Sequence, residues 1–307
     1  MAPSRRTART HQIRCVDVFT KIRFRGCSLA VVLRAGDLTP RQMQRIANEF
    51  NLPETTFVTG IENSKYSVRI FTRNTEIPIA GHPSIGTAYV LFNEGLMRTS
   101  NGPVTTVYQQ TAIGSSRIDV STKNRKVQKV MMTQQKPVFG EIVRDLGTIK
   151  KALRIESADV ELHEFEPQIV STGLRHLLVP MKDSGTISSK ISPDLDAVKA
   201  LEEEFEVTGL GIFTFKDRKR SVLHLRFFAP SIGILEDPAA GSAAGALGAY
   251  LSSWTQHFEG ERKYMVKQGS ELNRLSTIQV RVCRDGESLG VMIGGQAVTV
   301  MKGELLV

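Results

Sequence analysis

The chain has 307 residues, 41% hydrophobic and 23% charged. This ordinary globular usage excludes a fibrous or disordered chain, and the length allows about two domains with sizeable cores. Forty Lys and Arg against 31 Asp and Glu give a formal charge of +9, which raises the question of an anionic, nucleic-acid or membrane partner.

Residues 1–12 read as a basic disordered tail. Arg5, Arg6, Arg9 and the nearby Arg14 have no acidic neighbour in this stretch, and no apolar segment makes it a secretory signal. Alternation predicts a strand from Ile13 to Phe19, and a short apolar run predicts another from Leu29 to Leu33. Thr39-Pro40 opens a helix to about Phe50, with Thr39 as N-cap. Strands are expected at Thr55 to Val58 and Tyr66 to Thr72. Ile79 to Ala88 leads into a helix ending near Gly95, the expected C′ glycine. Val104 to Val120 and Val127 to Gln134 are strand-like. In the second half, helices are expected from Ser192, as cap, to Glu204, and from Asp237 to Tyr250. Strands are expected at Leu177 to Met181, Leu210 to Phe215, Val222 to Phe228, Ile278 to Cys283, Leu289 to Ile293 and Ala297 to Met301. The uncharged run Pro238 to Phe258 approaches the length of a membrane helix, but its Ala, Gly and Ser content reads as a buried helix that other backbone approaches closely.

The halves resemble each other. Arg69-Ile70-Phe71 is followed about ten residues later by Gly81-His82-Pro83 and a helix, and Arg226-Phe227-Phe228 by Asp237-Pro238-Ala239 and a helix. Strands outnumber helices and alternate in polarity. The expected fold is therefore α+β: two similar domains, each a mainly antiparallel sheet or barrel wrapped around a central helix. The N-terminal domain is placed at 13–135, which can take in the last strand, about 295–307. The C-terminal domain is placed at 136–294.

Both turns put a helix N-terminus after a strand, where free N–H groups and the helix dipole suit a small carboxylate; a simple capped start is the alternative. Glu54, His82 and Asp237 stand around these turns. Glu54, between Pro53 and an apolar run, is either a surface residue or a buried acid/base. His82, between Gly81 and Pro83, serves either substrate or helix packing. Asp237 before Pro238 is a natural N-cap, and Ser242 bonds either an anion or its own backbone.

Other chemistry is not indicated. There is no GxGxxG, P-loop or GxSxG spacing, so no cofactor is expected. Cys15, Cys27 and Cys283 form no CxxC pair, and His163-Glu164 has no second His at metal spacing, so no metal site and a reducing compartment are expected. Basic residues are scattered and aromatics are only 7%, which argues against nucleic acid.

Asn51-Leu52-Pro53-Glu54-Thr55-Thr56-Phe57-Val58, Ala80-Gly81-His82-Pro83-Ser84-Ile85-Gly86-Thr87-Ala88 and Glu236-Asp237-Pro238-Ala239-Ala240-Gly241-Ser242-Ala243-Ala244-Gly245 resemble the signature segments of the PhzF-like isomerases of phenazine biosynthesis. Similarity continues through 16–20, 171–180 and 294–298. The resemblance implies a diaminopimelate-epimerase-like fold with the active site in the cleft between two related domains. It also implies cofactor-independent proton transfer and a homodimer, while the residues themselves lead to the expectation of a cytoplasmic protein with neither nucleic-acid nor membrane partners. By resemblance Glu54 is the general acid/base, with His82 and Asp237 as catalytic partners. Gly81, Ser84, Gly241 and Ser242 are then the substrate-binding residues. The two-thiol racemases of this fold carry a cysteine at each helix start, where this chain has Gly81 and Asp237.

Departures from the family pattern are Gly26-Cys27-Ser28-Leu29-Ala30 for Gly-Asn-Pro-Leu-Ala, Ala240 for Thr, and Asn273-Arg274-Leu275 for Gly-Arg-Pro. The expected activity is proton movement between carbons of a small carboxylic-acid metabolite. A cyclase or other non-redox rearrangement using the same pocket, and a non-catalytic binding protein, are the alternatives.

Overall fold

Thr39 starts its helix as the sequence predicts. In Pro40–Phe50 the Thr39 hydroxyl accepts the Gln42 N–H, and the Gln42 side chain accepts the Thr39 N–H, a reciprocal capping box. The computed structural model describes residues 9–255 and 258–307, and these divide into two compact units. One contains the described residues up to Phe24, Ser28–Val130 and Gln296–Val307. The other contains Arg25–Cys27 and Met131–Gly295.

In the first unit, Cys27–Val32 runs parallel to Glu54–Glu62 through the helix Pro40–Phe50. Glu54–Glu62 is antiparallel to Lys65–Phe71, which runs parallel to Val104–Thr111 through the helix Gly81–Asn93. Val104–Thr111 turns back as the antiparallel Gly114–Lys123. The last strand, Ala297–Leu306, pairs antiparallel with Thr10–Val18, so this unit uses both ends of the chain. One of its cores gathers Val32, Met43, Ala47, Phe57 and Phe71.

In the second unit the same succession recurs. Arg175–Pro180 runs parallel to Gly209–Asp217 through the helix Leu195–Glu204, and Gly209–Asp217 is antiparallel to Val222–Phe228. Val222–Phe228 runs parallel to Gly260–Gln268 through the helix Gly241–Trp254, followed by the antiparallel Ser276–Asp285 and Ser288–Gly295. The internal similarity read from short sequence segments therefore extends to the whole order of strand pairings. In each unit a largely buried helix admits close sheet contact through glycine. A Cβ on Gly86 would lie 2.6 Å from Leu29, and one on Gly248 would lie 2.5 Å from Val280.

Several sequence expectations change. Thr10–Val18 begins before residue 13, so Thr10, His11 and Gln12 are strand rather than tail; residues 1–8 lie outside the described residues. Arg14 is buried in that strand and bonds Glu94. Asp194, not Ser192, caps Leu195–Glu204, because its carboxylate reaches the Ala197 N–H. The helix expected from Asp237 begins at Gly241. The highly charged strand Gly260–Gln268 was not anticipated; its buried positions, Tyr264, Val266 and Gln268, alternate only at its end.

Glu94 follows the helix Gly81–Asn93 and ties it to the paired chain ends. Its carboxylate accepts from Arg14 at 2.7 Å and lies 2.9 Å from Lys302 Nζ. The Arg14 hydrogen bond above all, with Lys302, holds this carboxyl down at about 2. The stabilisation is full above the ordinary glutamate range and is lost as pH falls toward 2. Glu94→Gln is expected to lower stability by about 1–3 kcal/mol at pH 7, with a smaller deficit at acidic pH. Urea unfolding across that pH range measures it, and equal stability at pH 7 would contradict the role.

Candidate active site

Helix Pro40–Phe50 ends on Asn51 in a left-handed conformation, φ 50°, whose N–H bonds Ala47 O and Asn48 O. The chain then turns into the strand Glu54–Glu62 with Glu54 as its first residue. Glu54 is 8% exposed and His82 6%, so neither is a surface residue. His82 Nε2 lies 2.8 Å from Glu54 Oε2. The helix carrying His82 begins at Gly81. Its N-cap is Ala80, in extended conformation, and it supplies no side-chain cap to the first turn.

Ser84, expected to bind substrate, is committed elsewhere. It is fully buried; its hydroxyl donates to Ala80 O at 2.8 Å and accepts from Gln109 Nε2 at 2.8 Å. Tyr66 donates to the other end of the Gln109 amide. This network braces the helix start and leaves Ser84 no proton for a ligand.

The corresponding turn of the second unit is built differently. Asp237 is not the N-cap. Its Oδ1 accepts the Ala239 N–H at 2.7 Å, a local turn that uses up the carboxylate's capping reach. Gln268, buried, accepts the Ala240 N–H and donates to Asp237 O, clamping the turn from both sides. Ala240 is the N-cap of Gly241–Trp254 and offers no side-chain bond. Among the described residues, Ser242 bonds neither its own backbone nor an acidic partner; its Oγ is 3.0 Å from His176 Nε2.

The duplicated pairings align these features. Glu54 lies opposite Leu29 at the start of one parallel pair, and Gly209 lies opposite His176 at the start of the other. Where the first unit carries its carboxylate, the second has no side chain. A Cβ on Gly209 would lie 2.3 Å from the Phe227 ring and 2.8 Å from Phe228 O. The first unit therefore places a sheet carboxylate beside a helix start, and at the matching position of the second unit stands Gly209. Among the described residues no group of three or more His, Cys, Asp or Glu is placed to hold a metal ion, and no helix is long and apolar enough to cross a membrane.

The family model for phenazine biosynthesis-like proteins, PhzC-PhzF, matches residues 16–303. The chain belongs to the phenazine biosynthesis-like family. Among phenazine biosynthesis-like relatives, a protein of Clostridium acetobutylicum named as an uncharacterized isomerase is 35% identical over 306 residues, covering 97% of this chain and 99% of that one. The trans-2,3-dihydro-3-hydroxyanthranilate isomerase of Pseudomonas fluorescens is 32% identical, covering 96% of this chain and 99% of that one. A PhzF-family phenazine biosynthesis protein of Bacillus anthracis has the same fold, with a TM-score of 0.87, 26% identity, and coverage of 97% of this chain and all of that one. The α+β fold class and the enzyme class, isomerase, are those expected from the sequence.

At the corresponding turn of the second unit, sequence reasoning missed His176 and Gln268. His176 stands inside an apolar strand with no local motif, and its bond to Ser242 spans 66 residues. The uncapped helix start at Ala240 was foreshadowed by its missing hydroxyl.

Proposed function

We propose that this isomerase moves a proton between carbons of a small carboxylic acid, with Glu54 as the group that takes the proton and returns it. The buried Glu54–His82 pair at an uncapped helix start carries this reading. The Glu54 carboxylate removes a C–H proton while the electron pair spreads into the adjoining unsaturated system. The protonated Glu54 then delivers that proton to another carbon, so the product is an isomer and no electrons are exchanged. His82 orients the carboxylate and steadies its charge. The helix start at Gly81 stabilises negative charge that grows on the substrate. In the second unit, Gly241 and Ser242 are the proposed anion-binding element, and Asp237 assists from the clamped turn.

The compound named for the Pseudomonas relative, trans-2,3-dihydro-3-hydroxyanthranilate, is the first substrate to test. With deuterium at the carbon that gives up its hydrogen, turnover is expected to break that C–D bond. The label then appears at the receiving carbon or exchanges into water. Mass spectrometry and proton NMR follow both. Product formed with the donor C–D bond intact would sink the proton-transfer reading and favour cyclisation.

A further inference from the structure

In both units the second residue of the central helix meets a buried titratable side chain of the sheet: His82 meets Glu54, and Ser242 meets His176. The second pairing has its own logic. His176 is 1% exposed, with the Phe227 ring edge-on at 4.9 Å. Its Nδ1 has no hydrogen-bond partner among the described residues.

A neutral imidazole carries its proton on one nitrogen only. If Ser242 donated to Nε2, the proton on Nδ1 would be a buried N–H with no acceptor. If Nε2–H donates to Ser242, only a lone pair is unanswered, which is the more tolerable omission. We infer that His176 is a positioning residue whose Nε2–H donates to Ser242 Oγ, leaving the serine hydroxyl to donate to a carboxylate at the start of Gly241–Trp254. Burial pushes the imidazole down to about 3, so the ring stays neutral around pH 7. The serine is thereby held as a donor toward an anion and does not spend its proton on the sheet.

This inference deepens the anion-binding role proposed for Ser242 and is tested apart from turnover. Nitrogen-15 NMR of the histidine rings is expected to show His176 as the Nε2–H tautomer, with its Nε2 signal moved by Ser242→Ala. Anthranilate, an inert carboxylate with the skeleton of the named compound, serves as the binding probe. His176→Phe, similar in size and without a donor, is expected to weaken anthranilate about tenfold. His176→Gln, whose amide N–H replaces Nε2–H, is expected to stay within about threefold of wild type. The Nδ1–H tautomer, or unchanged anthranilate affinity in a folded His176→Phe variant, would overturn the inference. If Glu54 proves dispensable, the proton-transfer reading fails while the tautomer result stands.

Discussion

Glu54→Gln is expected to lower turnover of trans-2,3-dihydro-3-hydroxyanthranilate by about 10²–10⁴-fold, the range that a positioned general base contributes. Glutamine keeps the size and polar end of glutamate, so the contact at His82, 2.8 Å in the wild-type chain, has an oxygen or amide to meet. What the variant lacks is a group able to take a proton from carbon and give it back. The loss is therefore expected in kcat, with KM changed far less, because the uncapped N–H groups of the helix start are untouched. Circular dichroism and urea unfolding verify that the variant folds. A folded Glu54→Gln enzyme retaining more than about a tenth of wild-type kcat would remove Glu54 from the acid/base role.

Gly269→Ala is expected to have the largest effect on the frame. Gly269 has φ +78°, a left-handed conformation that costs other residues about 1–2 kcal/mol. Its Cβ would also lie 2.7 Å from both Arg274 O and Pro238 O, and neither backbone atom can swing aside as a side-chain end can. Overpacking of this kind adds about 1–3 kcal/mol, so the total expected loss is about 2–5 kcal/mol. Pro238 lies in the turn that Gln268 clamps, and Gln268 immediately precedes the glycine. Activity is therefore expected to fall even in molecules that remain folded. Thermal unfolding and turnover at a temperature well below the midpoint separate the two effects. A wild-type midpoint would show that the loop relaxes freely.

Local signals served where local chemistry decides the structure. Thr39-Pro40 predicts a helix start because the capping box lies within four residues. The alternation from Tyr66 to Thr72 predicts a strand because it matches one buried face, with Tyr66, Val68 and Ile70 buried. Glu54 and His82 were legible as candidates, but their contact was not, since the two stand 28 positions apart with the strand Lys65–Phe71 between them. Asp237 was misplaced as a cap because an Asp-Pro pair looks the same whether the helix starts at once or after a turn. That choice is made by Gln268, 31 residues downstream. Ser84 shows the same limit: a serine at a helix start reads as ligand-facing until Gln109 is seen behind it.

The first unit borrows its closing strand from the far end of the chain. During synthesis, the run Met131–Gly295 is complete before Ala297–Leu306 has been made. Thr10–Val18 must meanwhile wait with one edge open. An unpaired strand edge is a template for joining another chain. The unit that carries Glu54 is thus begun before the second unit and finished after it, and its hazardous interval lasts while the second unit is translated. Conditions that slow elongation through the second unit should therefore be paid for in aggregation of the first.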